Sequence, residues 1–141
     1  ELTENDHIIL RLLQENAREK LETMAFETGL SVATIQRRIK YLKKAGIIMG
    51  ETALVAPDSV GYLMTFLILV ELERERIDQV DAFKRKVKAE PYIQQCYYIT
   101  GEADFALIAL ARDIQDFENL TRFRTSVVMN RTKVGLTVPL A

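Results

Sequence analysis

One stretch of this chain, residues 28–46 (TGLSVATIQRRIKYLKKAG), limits the possible folds more than any other. It predicts a glycine turn followed by a helix with Ser31 as its N-cap. Within that helix, Ile35, Ile39 and Leu42 recur at intervals of four and three residues, which places them on one face. Because such a stripe packs against a core, the stretch predicts a short amphipathic helix in a small helical domain.

The other faces of this predicted helix are cationic. No acidic residue occurs between Glu27 and Glu51, so the positive charge is not balanced locally. A short helix that is apolar on one side and basic elsewhere is typical of a surface that binds a polyanion, and a solvated surface helix is the alternative. The bases are Arg37, Arg38, Lys40, Lys43 and Lys44.

Two more helices are predicted upstream. The first begins at a capping box formed by Thr3 and Asp6 and extends to about Asn16. The second is short and covers residues 20–28. The first half of the chain therefore predicts three helices in a row.

Small residues lie in the second predicted helix and in the turn that connects it to the third. Ala25 allows close helix crossing, and Gly29, four residues later, can adopt the left-handed backbone of a tight turn. This arrangement predicts a helix-turn-helix whose last helix is the recognition helix. Arg38 stands where a strict pattern has an apolar residue, so it is either a phosphate contact or a structural cation.

The net charge of the chain is compatible with nucleic-acid binding. The 141 residues carry a formal net charge of −1, but the positive charge is concentrated in the acid-free stretch described above. A hydrophobic content of 48% is enough for a packed core. The single cysteine, Cys96, cannot form an internal disulfide, and its surroundings favour a buried strand thiol over a reactive one.

Nothing in the sequence predicts a membrane protein. The longest apolar run, residues 63–70, is too short to span a bilayer, and the first ten residues lack the pattern of a signal peptide. We therefore expect a cytoplasmic protein.

A second domain is predicted after Gly46 ends the recognition helix. Residues 47–55 are β-prone and predict either a small paired ribbon or a strand leading out, and residues 56–59 (APDS) read as a linker. We expect a helix-turn-helix, winged-helix-like domain at residues 1–50, a linker strand and hinge at 51–61, and an α+β domain at 62–141. Predicted strands cover residues 62–72, 93–100, 105–112 and 125–132, with a strand-like tail at 135–140, and predicted helices cover 77–89 and 114–122, the latter capped by Asp113.

The order of these elements, βαββαβ followed by an extended tail, predicts a ferredoxin-like sandwich. The helix at 77–89 carries a basic cluster at residues 84–88. Because acids are interleaved with it, we interpret the cluster as a solvated helix face rather than as a second nucleic-acid site.

The predicted strands supply apolar residues to both faces of the sheet, as in residues 63–70 and 105–110. Two helices cover only one face, and the other would leave a larger apolar patch than soluble monomers tolerate. A second copy is the simplest cover, which predicts a two-fold dimer. Its two recognition helices would read half-sites about 34–36 Å apart, or a multiple of that distance.

Motifs in both halves resemble those of the Lrp/AsnC family, the feast/famine regulators. In the first half these are N-D-x-x-I-L-x-L-L-Q (residues 5–14), G-L-S-x-x-x-I-x-R-R-I-x-x-L (29–42) and A-G-I-I-x-G (45–50). In the second half, T-G-E-A-D-F (100–105) is similar to the G-D-x-D effector loop and T-S-V-V-M (125–129) to the last core strand.

The resemblance implies a transcription regulator, with no enzymatic activity or cofactor, whose sandwich domain dimerises and binds an amino acid or a related metabolite. Dimers of this family commonly form tetramers or octamers, with the effector between dimers. Gly101 allows close backbone approach to a ligand and Asp104 can meet an ammonium group; without the resemblance, the loop is only a hairpin turn. The implied effector site comprises Gly101, Glu102, Ala103, Asp104, Thr125, Ser126 and Val128.

The chain departs from the family between Arg122 and Thr125, where the predicted helix runs into the last strand without a turn signal. Either the chain has a deletion or residues are missing there, and we favour missing residues because a helix needs a connecting turn before an antiparallel strand. An intact mass near 16.1 kDa would refute this preference.

On double-stranded DNA, we expect the recognition helix to divide its contacts. Thr34, Gln36 and Arg37, in its N-terminal half, are candidates for base edges. The candidates for phosphates are Ser31, Arg38 and Lys40.

Two other functions compete with a metabolite-controlled regulator. Some proteins of this architecture resemble siroheme decarboxylases, which need histidine or clustered arginine, but the single histidine, His7, is predicted on the solvated side of the first helix. An architectural protein that wraps DNA without an effector is the third interpretation.

Overall fold

The chain folds into two units. The computed structural model describes residues 1–72, 77–118, 124–128 and 131–140. The first unit contains Glu1–Ala53 and Lys133–Ala141, and the second contains Leu54–Thr132. None of the helices in these described ranges is long and apolar enough to cross a membrane.

Three helices build the first unit: α1 (Glu4–Glu15), α2 (Leu21–Thr28) and α3 (Val32–Lys44). The predicted capping box starts α1, because the Thr3 hydroxyl accepts from the Asp6 N–H at 3.1 Å and Asp6 Oδ2 accepts from the Thr3 N–H at 2.9 Å. These two bonds satisfy backbone donors that a helix start leaves unpaired.

The turn between α2 and α3 has the predicted geometry. Gly29 adopts a φ of 73°, a left-handed conformation that glycine accepts without a side-chain clash. The helix-turn-helix is therefore confirmed. A shared core forms beneath the helices from Ile9, Leu10, Met24, Ile35 and Leu42.

The second unit is the predicted sandwich. Its elements are β1 (Met64–Val70), α4 (Ile77–Ala89), β2 (Ile93–Tyr98), β3 (Phe105–Ala111), α5 (Ile114–Glu118) and β4 (Arg124–Val127). The sheet has the order β2-β3-β1-β4 with antiparallel neighbours, which is the ferredoxin-like arrangement. The helix-facing side of the sheet packs on α4 through Val80, Phe83 and Val87.

The other side of this sheet is apolar and lacks a cover within the described part of the chain. In β1, Phe66, Ile68 and Val70 are buried on the helix side, whereas Leu67 and Leu69 point the opposite way and are each 39% exposed. The β1–β3 register places Leu67 beside Ile108. The expectation of apolar residues on both faces is thus correct for the single chain.

Two expected β segments are absent from the described residues. Residues 47–55 form no strand, so the winged form of the first domain is not present; a ribbon needs a backbone ladder to a partner strand, and this segment forms none with the described residues. Residues 135–140 form no strand, and they group with the helical unit instead of the predicted sandwich. The apolar side chains of Leu136, Val138 and Leu140 line a groove beside α1.

The predicted start of α5 is present, because Asp113 Oδ1 accepts from the Asp116 N–H at 2.9 Å. The sequence predicts that residues forming a turn are missing between Arg122 and Thr125. The chain leading into that point, residues 119–123, lies outside the described residues, so this expectation stays a prediction.

Candidate functional site

The recognition helix α3 is held by its apolar face and presents its polar face to solvent. Ile35 and Leu42 are fully buried, which confirms the stripe predicted from their spacing. The opposite face carries Gln36, Arg37 and Lys40, all exposed. Its orientation in the unit is therefore fixed by packing, independently of any partner.

The N-terminal turn of α3 contains a connected row of hydroxyl and guanidinium groups. Ser31 caps the helix by accepting from the Thr34 N–H at 3.2 Å, and the two hydroxyl groups lie 2.9 Å apart. Arg37 Nη2 donates to the Thr34 hydroxyl at 3.2 Å. Residues three apart lie on one side of a helix, so this row aligns Ser31, Thr34 and Arg37 along one exposed edge.

The positive charge of α3 is only partly neutralised. Lys43 pairs with Glu51 at 3.2 Å on the surface. Arg37, Lys40 and Lys44 have no carboxylate within ion-pair distance among the residues that the structure describes. These three cations remain available to a polyanion.

Arg38 differs from its neighbours because it is bonded to α1. Its Nε donates to Asp6 Oδ1 at 2.8 Å and its Nη2 to Asp6 Oδ2 at 2.6 Å, a bidentate pair with a fully buried carboxylate. The hydrogen bonds from Arg38 lower the pKa of Asp6 from 3.8 to about 2, against the opposing effect of burial. Of the two predicted roles for Arg38, the geometry supports the structural cation, and its selection as a phosphate contact is not supported.

The loop between β2 and β3 has the backbone expected of a ligand-approach site. Gly101 has a φ of 127°, which residues with a side chain rarely adopt, and open space surrounds its Cα. Glu102 is exposed, whereas Ala103 is 8% exposed and belongs to the buried interior. Only part of this loop therefore presents side chains to a ligand.

Asp104 has structural partners in this loop. Its N–H donates to the Val70 carbonyl at 2.8 Å, and its Oδ2 accepts from the Leu72 N–H at 2.7 Å. The carboxylate thus fixes the end of β1, a task that sequence reasoning missed. An ammonium group would share this carboxylate with the backbone.

The two halves of the predicted effector site lie apart along β1. The loop joins β1 at Val70, whereas the Val128 N–H donates to the Thr65 carbonyl at 2.9 Å. Five strand residues separate these positions, or roughly 17 Å. Because Thr125 and Ser126 pair with Ile68 and Leu67, they lie between the two ends, so one chain does not gather the predicted residues into one pocket.

Val128 instead lines a cavity of about 290 Å³ beside Pro57, Asp58 and Tyr62. Arg131, which the sequence analysis did not single out, also lines it and donates from Nη2 to the Thr65 hydroxyl at 3.0 Å. No local motif marks Arg131, because its partner is 66 residues away.

The basic cluster on α4 borders a second cavity, of about 430 Å³. Lys84 lies over the ring of Tyr98, 5.2 Å from its centroid, and Cys96 lines the same cavity. Cys96 lies in β2 as predicted but is half-buried rather than buried, and this partial burial raises the pKa of its thiol.

Metal-binding clusters of histidine, cysteine and carboxylate side chains are absent from the described ranges. His7 is half-buried rather than solvated, and its Nδ1 has no hydrogen-bond partner among those residues. The expectation of a solvated His7 is therefore wrong, because the side chain is half-buried and its Nδ1 is shielded from solvent.

Comparison with known families matches both units. Residues 2–43 match the family described as "AsnC-type helix-turn-helix domain", and residues 65–137 match the family described as "Lrp/AsnC ligand binding domain".

Individual relatives give the same result. An uncharacterised HTH-type transcriptional regulator, y4tD, of Sinorhizobium fredii is 38% identical, over 99% of this chain and 89% of the relative. That alignment spans 151 positions, so the relative has at least ten residues without a counterpart here. The transcriptional regulator AzlB of Bacillus subtilis is 31% identical, over 99% of this chain and 96% of the relative.

Among solved structures, the transcriptional regulator NMB0573 of Neisseria meningitidis, determined as its L-Met complex, superimposes with a TM-score of 0.90. It is 29% identical, and the match covers 99% of this chain and 97% of that one.

Proposed function

The chain belongs to the Lrp/AsnC family of transcriptional regulators, and from this premise we propose that an amino acid or a closely related metabolite controls its binding to specific DNA sites. Family membership makes it a transcriptional regulator with a helix-turn-helix DNA-binding domain.

The contacts to DNA divide according to the geometry of α3. We assign Thr34, Gln36 and Arg37 to base edges, because they lie on the exposed side of the first half of the helix. Ser31 and Lys40 are assigned to phosphates. Arg38 is assigned to holding the helix, since its Nε and Nη2 both donate to the buried carboxylate of Asp6.

The observation that carries the control by a metabolite is the Gly101 loop. Its positive φ leaves an open backbone at the end of the sheet, next to a carboxylate that already receives one N–H. Exposed backbone donors and a carboxylate suit the two ends of a zwitterion. The relative from Neisseria meningitidis was solved with L-Met, so methionine is the first candidate to test.

A site that is split along β1 in one chain can be completed by another copy. We infer that the uncovered apolar face of the sheet, with Leu67, Leu69 and Ile108 near its centre, packs on the same face of a second chain. The dimer, or a tetramer or octamer built from it, would bring a Gly101 loop of one copy to the β4 region of another.

Thermal unfolding with each of the twenty amino acids tests the proposed control. A ligand at about 100 times its Kd stabilises the folded state by about 2.7 kcal/mol, which raises Tm by several degrees. The same amino acid should change the Kd for an operator, selected from a random oligonucleotide pool, by roughly 5- to 150-fold.

The matched variants are Glu102→Gln in the loop and Glu22→Gln on the exposed surface of α2, away from the proposed site. We expect the first to weaken the thermal response and the second to leave it unchanged. A wild-type Tm unaffected by all twenty amino acids, with operator binding intact, would contradict control by an amino acid.

A further inference from the structure

We propose that residues 133–140, called the tail below, are a latch that docks on α1 and restrains the DNA-reading helices. The sequence predicted the end of this segment as an addition to the sandwich domain. In the structure the tail borders a groove of about 390 Å³ on the helical unit, with which it groups.

The apolar side chains of the tail alternate along the groove. Leu136, Val138 and Leu140 line it, and a spacing of two residues places them on one side of an extended chain. Leu140 packs against the buried core of the helices. The helical side of the groove includes Leu2, Leu10, Leu13, Ala17, Ile47 and Ile48.

One side chain fixes the position of the tail. Gln14 Nε2 donates to the Val138 carbonyl at 2.9 Å, and Gln14 Oε1 accepts from the Val138 N–H at 2.6 Å. The amide satisfies both backbone polar groups of one residue, as a neighbouring strand would. A shift by one residue would break both bonds and turn the apolar side chains outward, so a single docking register is specified.

The docked tail can be released. Leu136 and Val138 remain 59% and 61% exposed, and the two Gln14 bonds lie at the surface, where water competes for them. Segments with little buried apolar area and exposed hydrogen bonds open at low free-energy cost. The tail therefore has two states, docked and free.

Helix α1 connects the latch to the recognition helix. Gln14 lies near its C-terminal end, and Asp6 near its start holds Arg38 of α3 by two hydrogen bonds. A docked tail thus restrains the helix that positions α3. Because the tail follows β4 in the chain, a ligand that alters β4 changes the docked fraction; this consequence rests on the proposed control by a metabolite.

Hydrogen exchange on the full chain, without ligand, tests the latch. Gln14→Ala removes both bonds and keeps a strong helix former in α1. The Val138 amide, whose N–H donates to Gln14 Oε1, should therefore exchange at least about tenfold faster while the amides of α4 stay unchanged. Val134→Ser is the matched control, because Val134 is 60% exposed and does not line the groove. Equal Val138 exchange rates in wild type and Gln14→Ala would overturn the proposal.

A photo-crosslinking phenylalanine analogue at position 136 tests whether the tail belongs to the same chain. We expect an adduct to residues 2–17 or 47–51 at the mass of one chain, identified by peptide mapping. An adduct only at the mass of two chains would overturn docking within one chain and indicate exchange of tails between copies.

The link to the metabolite is measured separately, as the ratio of operator Kd values with and without the active amino acid. We expect Gln14→Ala to bring this ratio close to one and Val134→Ser to preserve it. An unchanged ratio despite a released tail would overturn the coupling. A wild type that responds to no amino acid would contradict the proposed control, and hydrogen exchange would still decide the latch.

Discussion

The Asp6–Arg38 pair is the residue-level contact that ties the recognition helix to its domain. With its pKa near 2, Asp6 stabilises the folded state above its unfolded pKa of about 3.8, and this contribution is lost as pH falls through the folded value. The pair should contribute roughly 1–2 kcal/mol at neutral pH, lost between about pH 5 and pH 2.

Replacing Arg38 tests that contribution. Arg38→Met leaves a buried carboxylate unpaired and should cost about 2–3 kcal/mol of unfolding free energy at pH 7, less than for a fully buried pair because Arg38 is 31% exposed. Urea unfolding at pH 7, 5 and 3 should find the cost shrinking as Asp6 becomes protonated. Arg37→Met is the matched control, with little effect on stability; a cost for Arg38→Met that is constant with pH would contradict the assignment.

The exposed cations of α3 separate specific from general DNA binding. Arg37→Ala should cost roughly 1–3 kcal/mol on the selected operator and much less on random DNA. Lys40→Ala should weaken both DNAs alike and reduce the slope of log K against log salt by about one. Fluorescence anisotropy at several salt concentrations measures both, and equal losses on both DNAs for both variants would refute the division.

At the scale of elements, the sequence predicted best what is determined locally. The helices α1, α3 and α4 follow from periodicity and caps within a few residues of their ends, as at Thr3 and Ser31. The order of the sheet followed from the order of its elements. Residues 47–55 and the tail were predicted wrongly because an extended apolar segment forms a strand only beside a partner, and the nearest surface for the tail is on α1.

The site shows the same limit. The Gly101 turn was predictable from its residue type. The hydrogen bond from the Leu72 N–H to Asp104, and the bond from Arg38 to Asp6, each join residues that are 32 positions apart. No local pattern contains that information, so the sequence alone predicted a ligand role for Asp104 and left the role of Arg38 open between a phosphate contact and a structural cation.

The turn at Gly101 can be tested by its backbone alone. Gly101→Ala should cost about 1–2 kcal/mol of unfolding free energy, because a side chain is strained at a φ of 127° even though open space surrounds it. Gly50→Ala is the matched control, since that glycine has open surroundings without a positive φ, and its cost should stay within about 0.5 kcal/mol. Chemical denaturation measures both; equal costs would mean that the turn is not strained.

At the scale of the whole molecule, the uncovered sheet face should decide the assembly state. Leu67→Glu places a charge beside Ile108 and should shift the protein from a dimer or larger assembly toward single chains of 16.1 kDa. Sedimentation equilibrium measures the masses. Phe26→Glu is the control, because Phe26 is exposed on α2 and should leave the mass unchanged; a wild-type protein that sediments as single chains would contradict the dimer.

The bidentate hold on Arg38 has a consequence for protein engineering. Within α3, the positions that anchor the helix (Ile35, Arg38 and Leu42) differ from those proposed to read bases (Thr34, Gln36 and Arg37). The anchoring residues and the proposed base-reading residues can then be redesigned separately. Libraries randomised only at Thr34, Gln36 and Arg37 should yield folded regulators with new operator preferences. A transplanted recognition helix, by contrast, should fit only a scaffold that offers it a carboxylate in the place of Asp6.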